Sequence, residues 1–111
     1  MVNLKTVERG EIWLARLDPT VGSEIRKTRP CVVISPPDMH DYVRTVIVAP
    51  MTTASRPAPF RVPARHAGTN GLILLDQIRA IDKTRLVKRL GTISSTTLVT
   101  TLATLADIFA E

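Results

Sequence analysis

Apolar and polar residues alternate with period two through the first two thirds of the chain, then give way to helical spacing. Residues 11–17 predict a first strand, ended by the turn chemistry of Asp18-Pro19-Thr20-Val21-Gly22. Residues 31–35 are nearly all apolar, as a central strand requires, and Pro36-Pro37 stops them. Residues 38–42 suit one helical turn, and 45–49 form a third strand ended by Pro50. Residues 60–62, set among Pro57, Pro59 and Pro63, suit a sheet edge. A loop over 64–70 leads to a strand over 71–75, a break at Asp76-Gln77 and a continuation over 78–81. A helical turn at 83–86 and a weaker strand over 87–93, with Gly91 inside it, follow.

The tail reads differently. Ser94 or Ser95 can cap a helix, and Leu98, Leu102, Leu105 and Phe109 then share one face. The threonines of this segment lower its helix propensity, so packing of the leucine face must supply its stability. Many short strands followed by one helix predict a mainly β, α+β fold: a small SH3-like, barrel-like antiparallel sheet with a C-terminal helix and short helical turns. The 111 residues make one domain, 1–111, with a core of modest stability. A homodimer sharing apolar surface is expected to add to that stability.

Composition narrows the function classes. The net charge is +5, and eleven of the fifteen basic residues are arginine, the side chain whose planar fork fits phosphate. A bias toward arginine codons gives the same count, so charge by itself only tilts the reading toward nucleic acid. Four aromatic residues are too few for a base-stacking platform. The single cysteine, Cys31, lies in an apolar strand and reads as a small buried hydrophobe; it can build neither a disulfide nor a Cys/His metal cluster. No leader is visible in residues 1–8, and residues 90–106 are too rich in Thr and Ser to span a bilayer. A cytoplasmic protein without membrane contact is expected.

Two polar stretches stand at the ends of apolar strands. The first, residues 22–30, holds Glu24, Arg26, Lys27 and Arg29; the second, residues 50–57, holds Thr52, Thr53 and Arg56. If the two strands pair, both stretches face one pocket. Pro30 biases Arg29 toward extended backbone at the mouth of a buried strand, so its guanidinium is positioned. From position alone it either stabilises a pentacovalent phosphorus or closes the loop through Glu24, Asp18 or Asp76. Thr52 and Thr53 can donate to phosphate oxygens or tie down a turn. Glu24 can act as a base, an acceptor from a base edge or a loop clasp. Asp76-Gln77 reads as a buried, hydrogen-bonded break that holds a loop, with Asp76 also able to orient Arg29 or Arg79. His40 and His66 lie in polar loops without metal-ligand spacing and read as surface residues. No Walker loop, dinucleotide turn or nucleophile elbow is present.

Arg9-Gly10-Glu11-Ile12-Trp13-Leu14, Leu17-Asp18-Pro19-Thr20, Gly22-Ser23-Glu24, Arg29-Pro30 and Val32-Val33-Ile34-Ser35 resemble the start of the MazF/PemK toxin family. The likeness continues through Val48-Ala49-Pro50-Met51-Thr52-Thr53, Pro59-Phe60-Arg61-Val62, Gly71-Leu72, Asp76-Gln77-Ile78-Arg79-Ala80-Ile81 and Gly91-Thr92-Ile93. It covers nearly the whole chain, in order and at family spacing.

The resemblance implies a metal-independent, sequence-specific endoribonuclease of a type II toxin–antitoxin module. Its substrate would be single-stranded RNA, mainly mRNA, cut to 2′,3′-cyclic phosphate and 5′-hydroxyl ends. No cofactor is implied; the partners are a second copy of the chain and an antitoxin whose disordered C-terminal segment covers the RNA groove. Arg29 matches the catalytic arginine and Thr52 the catalytic threonine. On this likeness Arg29 stabilises the phosphorane charge and can pass a proton to the leaving 5′-oxygen, while Thr52 holds a non-bridging oxygen. Glu24, Arg26, Lys27, Thr53, Arg56, Asp76 and Gln77 are the matching or neighbouring positions expected to bind or orient RNA. Leu74 stands where the PemK-like subgroup has an arginine, so the chain sides with the MazF-like Arg–Thr arrangement and its general base is unassigned. The rival classes are a non-catalytic member of the gyrase-poison, CcdB type, and a basic RNA-binding accessory protein.

Overall fold

The computed structural model describes residues 6–111. The expectation that the N-terminal segment carries no leader rests partly on residues 1–5, which lie outside them. Seven antiparallel strands form one curled sheet: β1 Glu11–Arg16, β2 Thr28–Val33, β3 Thr45–Thr52, β4 Arg61–His66, β5 Thr69–Leu74, β6 Arg79–Asp82 and β7 Leu86–Thr92. Their order is β4-β5-β3-β2-β1-β7, with β6 paired to β3 beside that path. A short helix α1, Pro37–His40, precedes β3, and helix α2, Ser95–Phe109, ends the chain. The fold class expected from the alternation is the fold observed, and β2 is central as its apolar run predicts.

Both faces of the central strands are buried, which is why β2 reads as a continuous apolar run. Trp13, Ala15, Cys31, Val33, Val46 and Val48 pack on one side with Ile81 and Leu86. Ile12, Val32, Ile34, Ala49 and Met51 pack on the other with Val62 and Ile73. Leu98 and Leu105 of α2 close that second cluster. Ser94 caps α2 by accepting from the Thr97 N–H at 3.1 Å. The expected leucine face holds only in part. Phe109 is 72% exposed, and the fully buried position is Thr101. The Thr101 hydroxyl is satisfied by its own helix, donating to the Thr97 carbonyl at 2.8 Å. Among the described residues no helix is long and apolar enough to cross a membrane.

Three boundaries differ from the sequence expectation, each for a physical reason. Strand β3 does not stop at Pro50 but runs to Thr52. Its ladder with β6 ends at Val48, and its ladder with β5 begins at Met51. Pro50 therefore stands in the gap, where a missing N–H leaves no broken pair on that edge. Strand β2 starts three residues early, at Thr28, because β1 pairs with it as far as Arg16↔Thr28. The expected loop over 64–70 is a tight hairpin, with His66↔Thr69 closing β4 against β5. Ala67 (φ 51°) and Gly68 (φ 77°) both take left-handed backbone, the conformation of a two-residue type I′ turn. Strand β4 is the sheet edge, as its prolines predict.

Candidate functional site

The β2–β3 ladder runs from Val33↔Val48 to Cys31↔Pro50 and ends there, although both strands continue. Two residues beyond, the same register sets Arg29 opposite Thr52. At that point β2 is still paired to β1 through Arg29↔Ala15, and β3 has turned to β5 through Thr52↔Leu72. Pro30 and Pro50 carry no N–H to continue the β2–β3 ladder, so the sheet opens between them. The opening is a cleft of about 290 Å³ lined by Arg29 and Pro30, Met51 to Thr53, Ala64, His66 and Gly71, with the β4–β5 turn at its rim. Its volume is at the lower edge of ligand pockets. The sequence expectation that the two polar stretches share one pocket is met by Arg29, Thr52 and Thr53.

Each of the two central side chains is held from behind and open in front. The Arg29 Nε–H donates to the Arg26 carbonyl at 2.9 Å. The two ion pairs among the described residues, Arg61–Asp76 and Arg89–Glu11, leave Arg29 out. The loop-closing salt bridge to Glu24, Asp18 or Asp76 is therefore absent, and among the described residues the terminal guanidinium nitrogens have no partner. The buried Thr52 hydroxyl accepts from the Ala54 N–H at 3.1 Å. A hydroxyl carries one donor and two acceptor sites, so this bond spends an acceptor and leaves the O–H free to donate. Strand β5 presses close behind: a Cβ on Gly71 would stand 2.9 Å from the Thr52 carbonyl oxygen. Only glycine allows that approach. Two residues along β2 from Arg29, Cys31 is buried, and burial pushes its thiol up to about 12, against the pull of Arg79 and Arg29.

A second cleft of about 380 Å³ adjoins the first across β3 and holds Ser23, Glu24, Pro50, Asp76, Gln77 and Arg79. The Glu24 carboxylate accepts from the Val21 N–H at 2.7 Å, so it clasps its own turn. Gln77 accepts from the Ile25 N–H at 2.7 Å and ties that loop to the end of β5. Asp76 departs from expectation: it is exposed instead of buried, and its partner is neither Arg29 nor Arg79. It takes a two-pronged bond from Arg61, Nε to Oδ1 at 3.2 Å and NH2 to Oδ2 at 3.1 Å. That bond raises the Arg61 pKa. The missing arginine at Leu74 is not replaced in sequence, but a different arginine, from β4, reaches the aspartate in space. Arg26, Lys27 and Arg56 line neither cleft and are exposed. Lys27 holds left-handed backbone (φ 71°), the bend that carries the loop into β2.

The two histidines are not the surface residues they were expected to be. His40 is buried: its Nδ1 lies 2.9 Å from the Val7 carbonyl and its Nε2 2.6 Å from the Ser35 hydroxyl. A carbonyl only accepts, so Nδ1 carries a hydrogen and donates it to Val7; in the neutral ring Nε2 then accepts a hydrogen bond from the Ser35 hydroxyl. His66 is half-buried and lines the Arg29–Thr52 cleft. The signal for it was parity. Val62 and Ala64 are buried on one side of β4, and His66 continues that side.

Chemically, the first cleft offers one free guanidinium, one free hydroxyl proton and one imidazole around a space open to solvent. The comparisons with known proteins give the family. The model of the PemK-like, MazF-like toxins of type II toxin–antitoxin systems matches residues 8–109, and the chain belongs to that family. It is 39% identical over 108 residues to endoribonuclease PemK of Escherichia coli, covering 92% of this chain and 81% of that one. It is 38% identical over 90 residues to endoribonuclease EndoA of Bacillus subtilis (strain 168), covering 76% and 78%. The crystal structure of MazF from Deinococcus radiodurans superposes with a TM-score of 0.82 at 24% identity, covering 94% of this chain and 96% of that one. That likeness is one of fold.

Proposed function

We infer that this chain is the toxin of a type II toxin–antitoxin module and cleaves single-stranded RNA, with mRNA as its cellular target. The observation that carries the reading is the placement of Arg29 and Thr52 in the lining of one cleft, with the terminal nitrogens of Arg29 and the O–H of Thr52 making no hydrogen bond among the described residues. The 2′-oxygen attacks the adjacent phosphorus in line, and the 5′-oxygen leaves, giving a 2′,3′-cyclic phosphate and a 5′-hydroxyl. The phosphorane carries more negative charge than the starting diester. A fixed guanidinium therefore stabilises it more than the ground state, which is what lowers a barrier. Thr52 donates to a non-bridging oxygen and holds the in-line geometry. With charge neutralised by Arg29, no metal ion is required.

Glu24, Gln77 and Arg79 of the second cleft, with Asp76, then meet the bases that flank the cut, and Thr53 extends the first cleft. Arg26, Lys27 and Arg56 draw in the phosphate backbone. The chain, a single toxin domain over 1–111, works in the cytoplasm as a homodimer and is held inactive by a cognate antitoxin protein. Exposed Val99 and Phe109 on α2 supply apolar surface for assembly. The test is incubation of the purified protein with a long RNA in EDTA, with the 5′ ends of the products mapped. Discrete 5′-hydroxyl fragments are expected. Intact RNA together with inhibited DNA supercoiling points instead to the gyrase-poison class.

A further inference from the structure

The cleavage reaction needs a group to take the 2′-hydroxyl proton, and neither Arg29 nor Thr52 can do so. A guanidinium has no lone pair to offer, and the Thr52 hydroxyl is committed as a donor. We propose that His66 is the general base of this site. The inference rests on the nuclease reading above and adds to it the residue that reading lacks.

His66 is the last residue of β4, directly before the type I′ turn at Ala67-Gly68, so its backbone is fixed on both sides by the His66↔Thr69 pair and the turn. The curl of the sheet brings it to the opposite edge strand. A Cβ on Gly91 of β7 would stand 3.6 Å from the His66 Cε1 and 3.9 Å from Nδ1. The ring therefore rests on bare backbone at Gly91. Its position in the cleft lining places it with Arg29 and Thr52. Both ring nitrogens of His40 are engaged inside the protein, whereas no hydrogen bond among the described residues engages the His66 ring. An imidazole that is held in place, reachable from solvent and unpartnered among the described residues has a ring nitrogen available to act as a general base.

The 2′-O–H bond breaks and its proton passes to an unprotonated nitrogen of His66. The 2′-oxygen forms its bond to phosphorus, and the bond from phosphorus to the 5′-oxygen breaks. The electron pair left on the 5′-oxygen takes a proton from water, and the imidazolium returns its proton to solvent.

The experiment uses the full chain and an RNA oligonucleotide spanning its strongest mapped cut. Single-turnover rates are measured at saturating protein for His66→Ala and His66→Gln. Binding is measured in parallel on the same oligonucleotide with a 2′-deoxy sugar at the cut. Loss of a general base lowers the rate by about a hundredfold or more. The expected result is that loss, with RNA affinity unchanged and with added imidazole restoring part of the rate in His66→Ala but not in Arg29→Ala. His66→Gln keeps a side chain over Gly91 and guards against misfolding as the cause. Full-rate cleavage by either variant overturns the inference and leaves the nuclease reading standing. A rate loss matched by lost RNA binding, without rescue, makes His66 a contact only and also overturns it. No cleavage by the unsubstituted protein overturns both.

Discussion

Arg29 on β2 and Thr52 on β3 stand opposite each other two residues past the last rung of their shared ladder, Cys31↔Pro50. The sheet splits there because each strand has already taken a different neighbour. Residues that would have been a buried cross-strand pair instead face each other across open space. A site made this way has rigid walls, since both side chains still belong to strands.

Replacing Arg29 by Ala is expected to slow RNA cleavage by about 10²- to 10³-fold, the usual cost of removing one donor from a developing oxyanion. The fold should hold, because among the described residues Arg29 forms no ion pair and its one side-chain hydrogen bond ties it to its own loop. Single-turnover cleavage with a thermal melt checks both. A folded Arg29→Ala protein that cuts at the full rate would sink the assigned role.

Thr52 separates two tasks of one hydroxyl. A bond to a charged oxygen contributes about 1.5–3 kcal/mol, so Thr52→Val should slow cleavage by about 10- to 100-fold. It also removes the acceptor for the Ala54 N–H. Thr52→Ser keeps both atoms and should recover most of the rate.

Gly71→Ala tests the close approach of β5. The added Cβ meets a backbone oxygen at 2.9 Å, and backbone cannot swing aside as a side chain can. The expected loss is about 1–3 kcal/mol, typical of overpacking. Cleavage should fall with it, since the oxygen belongs to Thr52. Urea unfolding and cleavage assays on the same preparation decide the point.

Cys31 makes a pH prediction. Burial raises its thiol from 9.0 to about 12 in the folded chain. Above 9.0 the unfolded chain releases this proton while the folded chain keeps it, so stability falls as pH rises from 9.0 to about 12. The slope from this group reaches about 1.4 kcal/mol per pH unit. In Cys31→Ala the alkaline limb should be flatter, although the cavity lowers stability at every pH. Thiol reagents at neutral pH should label Cys31 only after unfolding.

Lys27 and Arg56 line neither cleft but are exposed next in sequence to residues of the two polar stretches, so their charge is expected to reach RNA phosphates. Removing each should reduce the salt slope of RNA binding by about 0.7, the counterion release of one single-strand phosphate contact. Titrations of the double alanine variant across a salt series give the slope directly. An unchanged slope places both outside the RNA path.

Much of this was legible in the chain. Period-two runs located the strands, Ser94 and the leucines located α2, and the apolar run through Val33 marked β2 as central, because side-chain burial imprints itself on local pattern. The pairing of two polar stretches at strand ends already pointed to Arg29 and Thr52, and the family resemblance chose them among eleven arginines and many threonines. What local pattern cannot carry is which edge a proline's missing N–H faces, or which residues a curled sheet brings together from its two ends. Pro50 looked like a stop and is a passage between two ladders. Asp76 looked buried and is held at the surface by Arg61, a partner fifteen residues away. His66 looked like a loop residue. Only the curl of the sheet sets its ring against Gly91 of β7 and makes His66 part of the cleft that Arg29 and Thr52 also line.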